Sequence, residues 1–198
     1  MRKVVMAMQT TINGRVDDPA TWMTGVDDAQ YAEIDRRYDT FDAILVGSTT
    51  YDEMAAYWPG ALTAETGYAD ANAEINQRMA RKMNDYHKYV FTRKAGTDPL
   101  TWANSERVVT PSDDDLVRFV TELKQQSGRD IHLAGGALLV QDFVRLGLVD
   151  QFRLLVYPVY SAGACWFDKV DQPPQLHLDG VERYANGVVA VDYSVVHG

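Results

Sequence analysis

The chain has 198 residues, of which 46% are hydrophobic and 24% charged, and its 28 acidic against 19 basic residues give a formal net charge of −9. This composition is typical of a soluble globular protein, and the negative charge argues against an extended nucleic-acid surface and against binding to anionic membranes. Cys165 is the single cysteine of the sequence, which excludes an intramolecular disulfide framework and fits a reducing compartment.

The first half of the chain alternates apolar runs with helical patterns. Lys3–Thr10 predicts a strand that ends at the Asn13-Gly14 turn, and because this N-terminus lacks a long apolar core we expect a cytoplasmic protein. The next predicted elements are a helix that begins at Asp27 or Asp28, a strand at Ala43–Val46, a short helix carrying Tyr51 and Met54, a loop over Ala61–Asp70 and a helix over Asn72–Tyr86. No run approaches the length of a transmembrane helix, and no linker or repeat divides the sequence, so we expect one domain over residues 1–198.

The second half continues the alternation and ends in a hairpin. In order, the sequence predicts a strand at Tyr89–Thr92, a helix over Ser112–Gln126, a strand at Ile131–Ala134, a helix that follows Gly135-Gly136, a strand at Phe152–Val159 and a hairpin over Leu176–Val196. Ser112 and Asp115 fit a capping box, and Asn186-Gly187 predicts a two-residue type I′ turn in the hairpin. The alternation predicts an α/β fold in which a mostly parallel sheet has helices on both faces and an antiparallel edge.

Polar backbone segments follow three of the predicted strands, at Gly47–Thr50, Thr92–Lys94 and Gly135-Gly136. Ligands of open α/β sheets bind outside the carboxyl ends of the strands. Two of these segments open helices whose first N–H groups favour an anion, and the third supplies the cations Arg93 and Lys94. Together they suit a dinucleotide with an extra phosphate, as in NADPH. Each segment alone is also typical of close packing or of a solvated strand end.

Other kinds of site find less support in the sequence. Neither nucleotide fingerprint, G-x-G-x-x-G nor G-x-x-x-x-G-K-[ST], occurs, and the four histidines are scattered without metal-ligand spacing, so we predict no metal site. Ser48 follows a strand but has no evident histidine partner, which counts against a serine hydrolase. Asp27 and Asp28 have two interpretations: a helix N-cap, or a carboxylate beside Trp22 that burial would adapt to proton donation.

Four motifs carry a family resemblance. They are the strand and turn around Met8 to Gly14, LVGSTTYDEM at residues 45–54, KYVFTRK at residues 88–94 and LAGGALLVQDFVRLGLVDQFRLLVYPV at residues 133–159. From Val4 to Val196 the chain resembles the dihydrofolate-reductase-like superfamily, and more closely its branch with the reductase domain of bacterial riboflavin biosynthesis. The resemblance implies NADPH-dependent reduction of a pteridine- or pyrimidine-type heterocycle. The H-x-E and P-C-x-x-C motifs of the zinc deaminase often fused to that domain do not occur, so we expect a stand-alone reductase domain.

The resemblance also implies roles for individual residues. The implied cofactor contacts are Gly47, Ser48, Thr49 and Thr50 on one side of the dinucleotide, Gly135, Gly136, Ala137 and Leu138 at the pyrophosphate, Thr92, Arg93 and Lys94 at the adenosine and its 2′-phosphate, and Ala7, Gly14 and Val16 at the nicotinamide. A flat substrate would lie near Met8, Gln9, Trp22 and Tyr31, with the proton supplied by Asp27, Asp28 or a bound water. Relatives of this branch often pair through their terminal strands, so we expect a homodimer.

The chain departs from the family pattern at several positions. Ser48 stands where the family commonly has arginine, which leaves the choice between NADPH and NADH open. Gln151 stands where the pattern often has glutamate, and the segment VYSAGACWF after Pro158 has one glycine where two are frequent. In addition, no residue aligns securely with the catalytic carboxylate of true dihydrofolate reductases. This missing acid and the loss of arginine at Ser48 favour a second hypothesis, a ligand-binding module that kept the fold without turnover.

Overall fold

A computed structural model describes residues 1–23, 25–63, 69–96 and 98–196. Its strands are β1 (Val4–Thr11), β2 (Phe41–Gly47), β3 (His87–Thr92), β4 (Ser105–Val109), β5 (Asp130–Gly135), β6 (Gln151–Tyr157), β7 (Leu176–Arg183) and β8 (Val189–Val195). Its α-helices are α1 (Asp28–Tyr38), α2 (Ser48–Tyr57), α3 (Ala69–Asp85), α4 (Asp113–Gln125) and α5 (Ala137–Arg145). Nearly every predicted element is present, and the helix expected from Asn72 begins earlier, at Ala69.

The strands form one sheet in the order β4-β3-β2-β5-β1-β6-β8-β7. Neighbouring strands from β4 to β6 are parallel, while β8 pairs antiparallel with both β6 and β7. This confirms the predicted mixed, mostly parallel sheet with a C-terminal antiparallel hairpin. The chain runs outward from β2 to β4, returns to place β5 between β2 and β1, and then adds β6 on the other side of β1. The reversal makes the carboxyl ends of the central strands the expected place for a crevice.

Apolar cores cover both faces of the sheet, as expected from the alternation. On one face Leu116 and Val120 of α4 and Phe143 of α5 pack against Leu45 of β2. On the other face Ile34 of α1, Tyr51 of α2, and Met79 and Met83 of α3 pack with Ile44. Leu45 and Ile44 point to opposite faces because successive side chains of a strand alternate. Helices α1 to α3 therefore cover one face, and α4 and α5 the other.

The N-terminus of α4 confirms the predicted capping box. The amide of Asp115 donates to Ser112 Oγ over 3.2 Å, and the amide of Ser112 donates to Asp115 Oδ2 over 3.2 Å. These bonds satisfy backbone donors that the first turn of a helix leaves without intrahelical partners.

Strand β4 is absent from the predicted order of elements. It is five residues long, begins with Ser-Glu-Arg and buries only Val108, because it is an edge strand that pairs with β3 alone. A strand with one buried side chain has no apolar alternation for the sequence to reveal.

The predicted two-residue type I′ turn at Asn186-Gly187 is wrong. The amide of Tyr184 donates to the Val188 carbonyl over 2.9 Å, which encloses a three-residue loop, and the amide of Gly187 donates back to Tyr184. Gly187 has φ +85°, but Asn186 is not among the described residues with positive φ, whereas a type I′ turn requires positive φ at both central positions. Asn186 instead donates its side-chain amide to Gln30 Oε1 over 2.7 Å, which fixes the loop against α1.

The predicted loop over Ala61–Asp70 lies partly outside the described residues. Residues 61–63 lie in a short 3-10 turn and α3 has begun by Ala69, while residues 64–68 lie outside the described residues. Across the described parts of the chain, none of the helices combines the length and apolar character needed to cross a bilayer.

Candidate functional site

A cleft with a cavity of about 610 Å³ lies at the carboxyl ends of β1, β2, β3 and β5. Twelve of the residues singled out from the sequence line it: Met8, Gln9, Val16, Gly47, Ser48, Thr49, Thr50, Thr92, Arg93, Gly136, Ala137 and Leu138. The three polar segments, which lie far apart in the sequence, are thus brought to one edge of the sheet, where β2, β3 and β5 end side by side.

The two glycine turns form the middle of this cleft. Gly47 is the N-cap of α2 and Gly136 is the N-cap of α5, so neither helix start has a capping side chain on its N-cap residue. A Cβ at Gly47 would lie 3.6 Å from the amide nitrogen of Gly136, and a Cβ at Gly136 would lie 2.8 Å from Thr50 Oγ1. The glycines therefore let two helix N-termini approach one another at the cleft, and the first N–H groups of a helix have no intrahelical partners.

Gly135 precedes this pair and lies in the end of β5, opposite Val46 in the ladder with β2. Its φ is +113°, a conformation that L side chains rarely adopt, and the peptide bond to Gly136 is cis. Gly135 shapes the turn from β5 into α5, but it is not one of the described residues that line the cleft.

The end of the cleft beside β3 carries an ion-pair cluster. Arg93 Nη2 lies 2.7 Å from Asp142 Oδ2 and 3.1 Å from Asp113 Oδ1, and Arg93 also donates to the carbonyl of Thr110. Arg145 pairs with both carboxylates. Hydrogen bonds from Arg145 and Arg93 hold the pKa of Asp113 below its ordinary value. Lys94, predicted to join Arg93 at a 2′-phosphate, is exposed and does not line the cleft.

The opposite end of the cleft is formed by β1 and the loop that follows it. Asp17 accepts hydrogen bonds from Arg15 Nε over 2.7 Å and from the amide of Ala164 over 3.1 Å. Burial alone would raise the pKa of Asp17, but these bonds and the charge of Arg15 outweigh it and hold the pKa below its ordinary value. Asp17 is therefore an anion near neutral pH.

Two residues predicted to flank the nicotinamide lie behind the cleft wall. Gly14 has φ +83° and packs against the ring of Phe167, where an added Cβ would clash. The carbonyl of Ala7 lies 3.0 Å from His132 Nε2, on the face covered by α1. Neither residue is among the described residues that line the cleft, and their contact with the nicotinamide stays a prediction.

The aromatic residues predicted to hold a substrate have other neighbours. Trp22 is 3% exposed, donates its ring nitrogen to the carbonyl of Asp17 over 2.8 Å and packs edge-on against Tyr157. Tyr31 donates its hydroxyl to Asn76 Oδ1 over 2.7 Å, between α1 and α3, and burial raises its pKa. Trp22 thus supports the loop that carries Asp17, while Tyr31 faces α3. A substrate role for either residue stays a prediction.

Asp27 is the N-cap of α1, where its carboxylate accepts a hydrogen bond from the amide of Gln30 over 2.7 Å. This is the first of the two interpretations that the sequence allowed. Neither Asp27 nor Asp28 is among the described residues that line the cleft. Their catalytic role remains a prediction.

Sequence reasoning missed several acidic residues of the cleft, namely Asp17, Asp18, Glu53 and Asp142. Asp17 and Asp18 directly follow the turn predicted at the nicotinamide, so proximity in the chain could have indicated them. Asp142 lies on the polar stripe of α5, but its pairing with Arg93 spans 49 residues and has no local signal. Within the described residues no group of three or more His, Cys, Asp or Glu side chains could hold a metal ion.

A second cavity, of about 700 Å³, lies between α1 and the hairpin. Although it is the larger of the two, its charged walls pair with one another. Arg37 lies 2.8 Å from Glu33 and 2.6 Å from Asp192. None of the described residues that line it lies at the carboxyl end of a parallel strand, so the cleft is the better candidate site.

The sheet order and the helices on both faces define a dihydrofolate-reductase-like α/β protein with its cleft at the central strand ends. Residues 2–190 match the model of the RibD C-terminal domain family, and the chain belongs to that family. It is 26% identical over 196 residues to the uncharacterized protein YyaP of Bacillus subtilis (strain 168). The aligned region covers 97% of this chain and 94% of YyaP.

Two solved structures share the fold at low sequence identity. A putative riboflavin biosynthesis protein from Shewanella sp. PV-4 superposes with a TM-score of 0.65 at 13% identity, over 100% of both chains. A pyrimidine reductase-like protein from Corynebacterium diphtheriae superposes with a TM-score of 0.63 at 13% identity, over 100% of this chain and 93% of that one. At such identities the likeness establishes the fold alone.

Proposed function

We propose that the protein is an NADPH-dependent reductase of a pteridine- or pyrimidine-type heterocycle, similar to 5-amino-6-(5-phosphoribosylamino)uracil reductase or dihydrofolate reductase. One observation carries the proposal: two helix N-termini with glycine N-caps and the Arg93 guanidinium converge on a single cleft. Membership in the RibD C-terminal domain family supports an oxidoreductase.

The residues of the cleft fit a dinucleotide. A pyrophosphate would lie against the first-turn N–H groups of α2 and α5, whose close approach the glycine N-caps Gly47 and Gly136 allow. Thr49 and Thr50 line the cleft beside this position, and their hydroxyls can donate to phosphate oxygens. Thr92 and Arg93 would hold the adenosine end, and Ala137 and Leu138 would border the pyrophosphate.

The nicotinamide end would be formed by Met8, Gln9 and Val16, which line the cleft beside β1. Bound there, NADPH supplies the hydride, so the task of the protein is to set the distance to the substrate and to exclude water. The Met8 and Val16 side chains provide an apolar wall for that purpose. Gln9 can donate or accept a hydrogen bond, which would orient a heterocycle.

Reduction of the heterocycle also requires a proton. Because Asp17 is held as an anion by Arg15 and the Ala164 amide, it fits the role of a charged wall better than that of an acid. Asp27, Asp28 or a bound water stays the proposed source, with Trp22 and Tyr31 proposed at the substrate.

A titration tests the cofactor part of the proposal. NADPH added to the protein should quench tryptophan fluorescence with a dissociation constant on the order of 1–100 μM, in the usual range for enzyme ligands. NADH is titrated in parallel. If neither nucleotide binds, the dinucleotide function is wrong.

Turnover separates a reductase from its alternative, a ligand-binding module. The position of Asp27 as a helix N-cap, outside the residues that line the cleft, favours that alternative. Oxidation of NADPH should be followed with a panel of dihydropteridines and aminopyrimidine ribose phosphates. Oxidation with any of them excludes the module, whereas tight binding of a panel member without oxidation excludes the reductase.

We further propose that the functional unit is a homodimer and that it acts on a small molecule, with neither nucleic acid nor a membrane as partner. The exposed edge strand β7 supports the dimer, because seven of its eight residues are exposed.

A further inference from the structure

We infer that Asp142, assisted by Asp113, sets the ribose preference of the cofactor: both carboxylates hold the Arg93 guanidinium in ion pairs that a 2′-phosphate must share. The inference rests on the proposed dinucleotide function. It predicts that the chain selects NADPH over NADH only weakly, and that removing the Asp142 charge strengthens the selection.

The Arg93 guanidinium is held by two carboxylates that differ in their exposure to solvent. Asp142 lies on α5, lines the same cleft as Arg93 and places Oδ2 2.7 Å from Arg93 Nη2. Asp113 at the start of α4 reaches the same nitrogen over 3.1 Å. Asp142 is 16% exposed and Asp113 is 41% exposed, so the pair with Asp142 is less screened by solvent. Asp142 is therefore the stronger of the two competitors.

A phosphate that binds Arg93 would lie close to the carboxylate of Asp142. A phosphate oxygen that accepts a hydrogen bond from Arg93 Nη2 would lie within roughly 6 Å of Asp142 Oδ2, since both oxygens would lie about 3 Å from that nitrogen. At this distance two anions repel one another. The 2′-hydroxyl of NADH, in contrast, can donate to a carboxylate, which is the usual way in which nucleotide sites recognise an unmodified ribose.

The charges around the cluster explain why NADPH is still accommodated. Asp142 also pairs with Arg145 over 3.2 Å and with Lys169 over 3.6 Å. Three cations thus face the two carboxylates Asp142 and Asp113, which leaves one positive charge in excess. When Arg93 turns to a phosphate, Asp142 keeps two cationic partners and is not left as an isolated charge.

The test compares binding of 2′,5′-ADP with 5′-AMP, and of NADPH with NADH, by calorimetry and fluorescence, so that no turnover is needed. In Asp142→Asn the preference for each 2′-phosphorylated ligand should rise by about fivefold, with a smaller rise in Asp113→Asn. Asp114→Asn is the matched control, because Asp114 is an exposed neighbour on α4 that does not line the cleft. It should leave the preference unchanged.

A double variant tests whether the effect acts through Arg93. Arg93→Gln should lower the preference for the 2′-phosphate, and adding Asp142→Asn to it should restore little of the loss. An unchanged preference in Asp142→Asn and Asp113→Asn, or an equal rise in Asp114→Asn, overturns the inference while the nucleotide site stands. If the wild-type protein and all variants bind neither nucleotide, the proposed function fails and the inference falls with it.

Discussion

Gly136 and Thr50 face one another across the two glycine turns, and a Cβ added to Gly136 would lie 2.8 Å from Thr50 Oγ1. Thr50 lies in the first turn of α2, while Gly136 is the N-cap of α5. The hydroxyl of one helix start therefore occupies the space that a side chain on the other would need. This contact fixes the width of the proposed pyrophosphate cradle.

We predict that Gly136→Val abolishes NADPH binding and leaves the fold largely intact. The added side chain would fill the space between the helix starts, and overpacking of this kind typically costs about 1–3 kcal/mol. Binding is measured by fluorescence titration and the fold by circular dichroism and thermal unfolding.

The control for this variant is Gly180→Ala on β7. A Cβ there would meet its nearest neighbour, Asp192, at an ordinary 3.9 Å. Its NADPH affinity should equal that of the wild-type protein. Retention of wild-type affinity by Gly136→Val would show that the cradle assignment is wrong.

The two glycine turns could be predicted because their signal is local. An apolar strand, a glycine and a helical pattern follow one another within about ten residues, both at Gly47 and at Gly136, and parallel strands end at one edge of a sheet. The succession of the other strands and helices along the chain, and the mostly parallel sheet, also followed from the alternation of elements. What the sequence left out was β4, whose single buried residue, Val108, gives no periodic pattern.

The long-range polar contacts of the site could not be predicted in the same way. Arg93 meets Asp142 across 49 residues, and Asp17 meets Ala164 across 147. Such pairs depend on how β1, β3 and α5 are arranged in space, and hydrophobic periodicity carries no information about them. The N-cap role of Asp27 was one of two interpretations, because a carboxylate at a helix start fits both capping and catalysis.

We predict that Asp27→Asn lowers turnover by at least tenfold if Asp27 is the proton donor, with unchanged NADPH affinity. Asparagine caps a helix about as well as aspartate, so the free energy of unfolding should change by less than about 0.5 kcal/mol. A loss of turnover in this variant would then result from the missing carboxyl proton and not from a destabilised helix. The measurement is a pH profile of kcat in the wild-type protein and the variant.

Asp28→Asn is the matched variant one residue further along α1. A selective loss in either variant identifies the acid. Wild-type profiles in both variants would leave a bound water as the proton source and would remove Asp27 and Asp28 from the catalytic assignment.

The hairpin edge predicts a dimer that can be disrupted by a single charge. On β7, Leu178 is 49% exposed and Val181 is 57% exposed, and the outer edge of this strand pairs with no other strand of the described sheet. Exposed apolar edge strands tend to pair with another chain. Sedimentation should give a dimer for the wild-type protein and mostly monomer for Val181→Lys.

The opposite edge of the sheet provides the comparison. Val109 on β4 is 41% exposed, and Val109→Lys adds the same charge there. It should leave the dimer intact. If Val109→Lys dissociates the protein and Val181→Lys does not, the interface lies at β4, and a monomeric wild-type protein would exclude the dimer altogether.

His132 predicts a pH-dependent loss of stability. Its ring is 3% exposed and stacks on Phe41, with Nε2 lying 3.0 Å from the carbonyl of Ala7. Burial lowers its pKa to about 4, from about 6.5 in an unfolded chain. As the pH falls from about 6.5 to about 4, the unfolded chain takes up a proton that the folded protein does not, so stability falls by on the order of 3 kcal/mol.

Urea unfolding between pH 7.5 and pH 4.5 measures this loss. His132→Gln removes the titrating ring and is expected to lower stability at every pH, but its stability should fall less steeply than that of the wild-type protein, because the contribution of His132 to the pH dependence is lost. His177→Gln changes a side chain that is 74% exposed and should keep the wild-type slope. Equal slopes for wild type and His132→Gln would mean that the His132 pKa is not depressed in the folded protein, since only a pKa difference between the two states makes stability depend on pH.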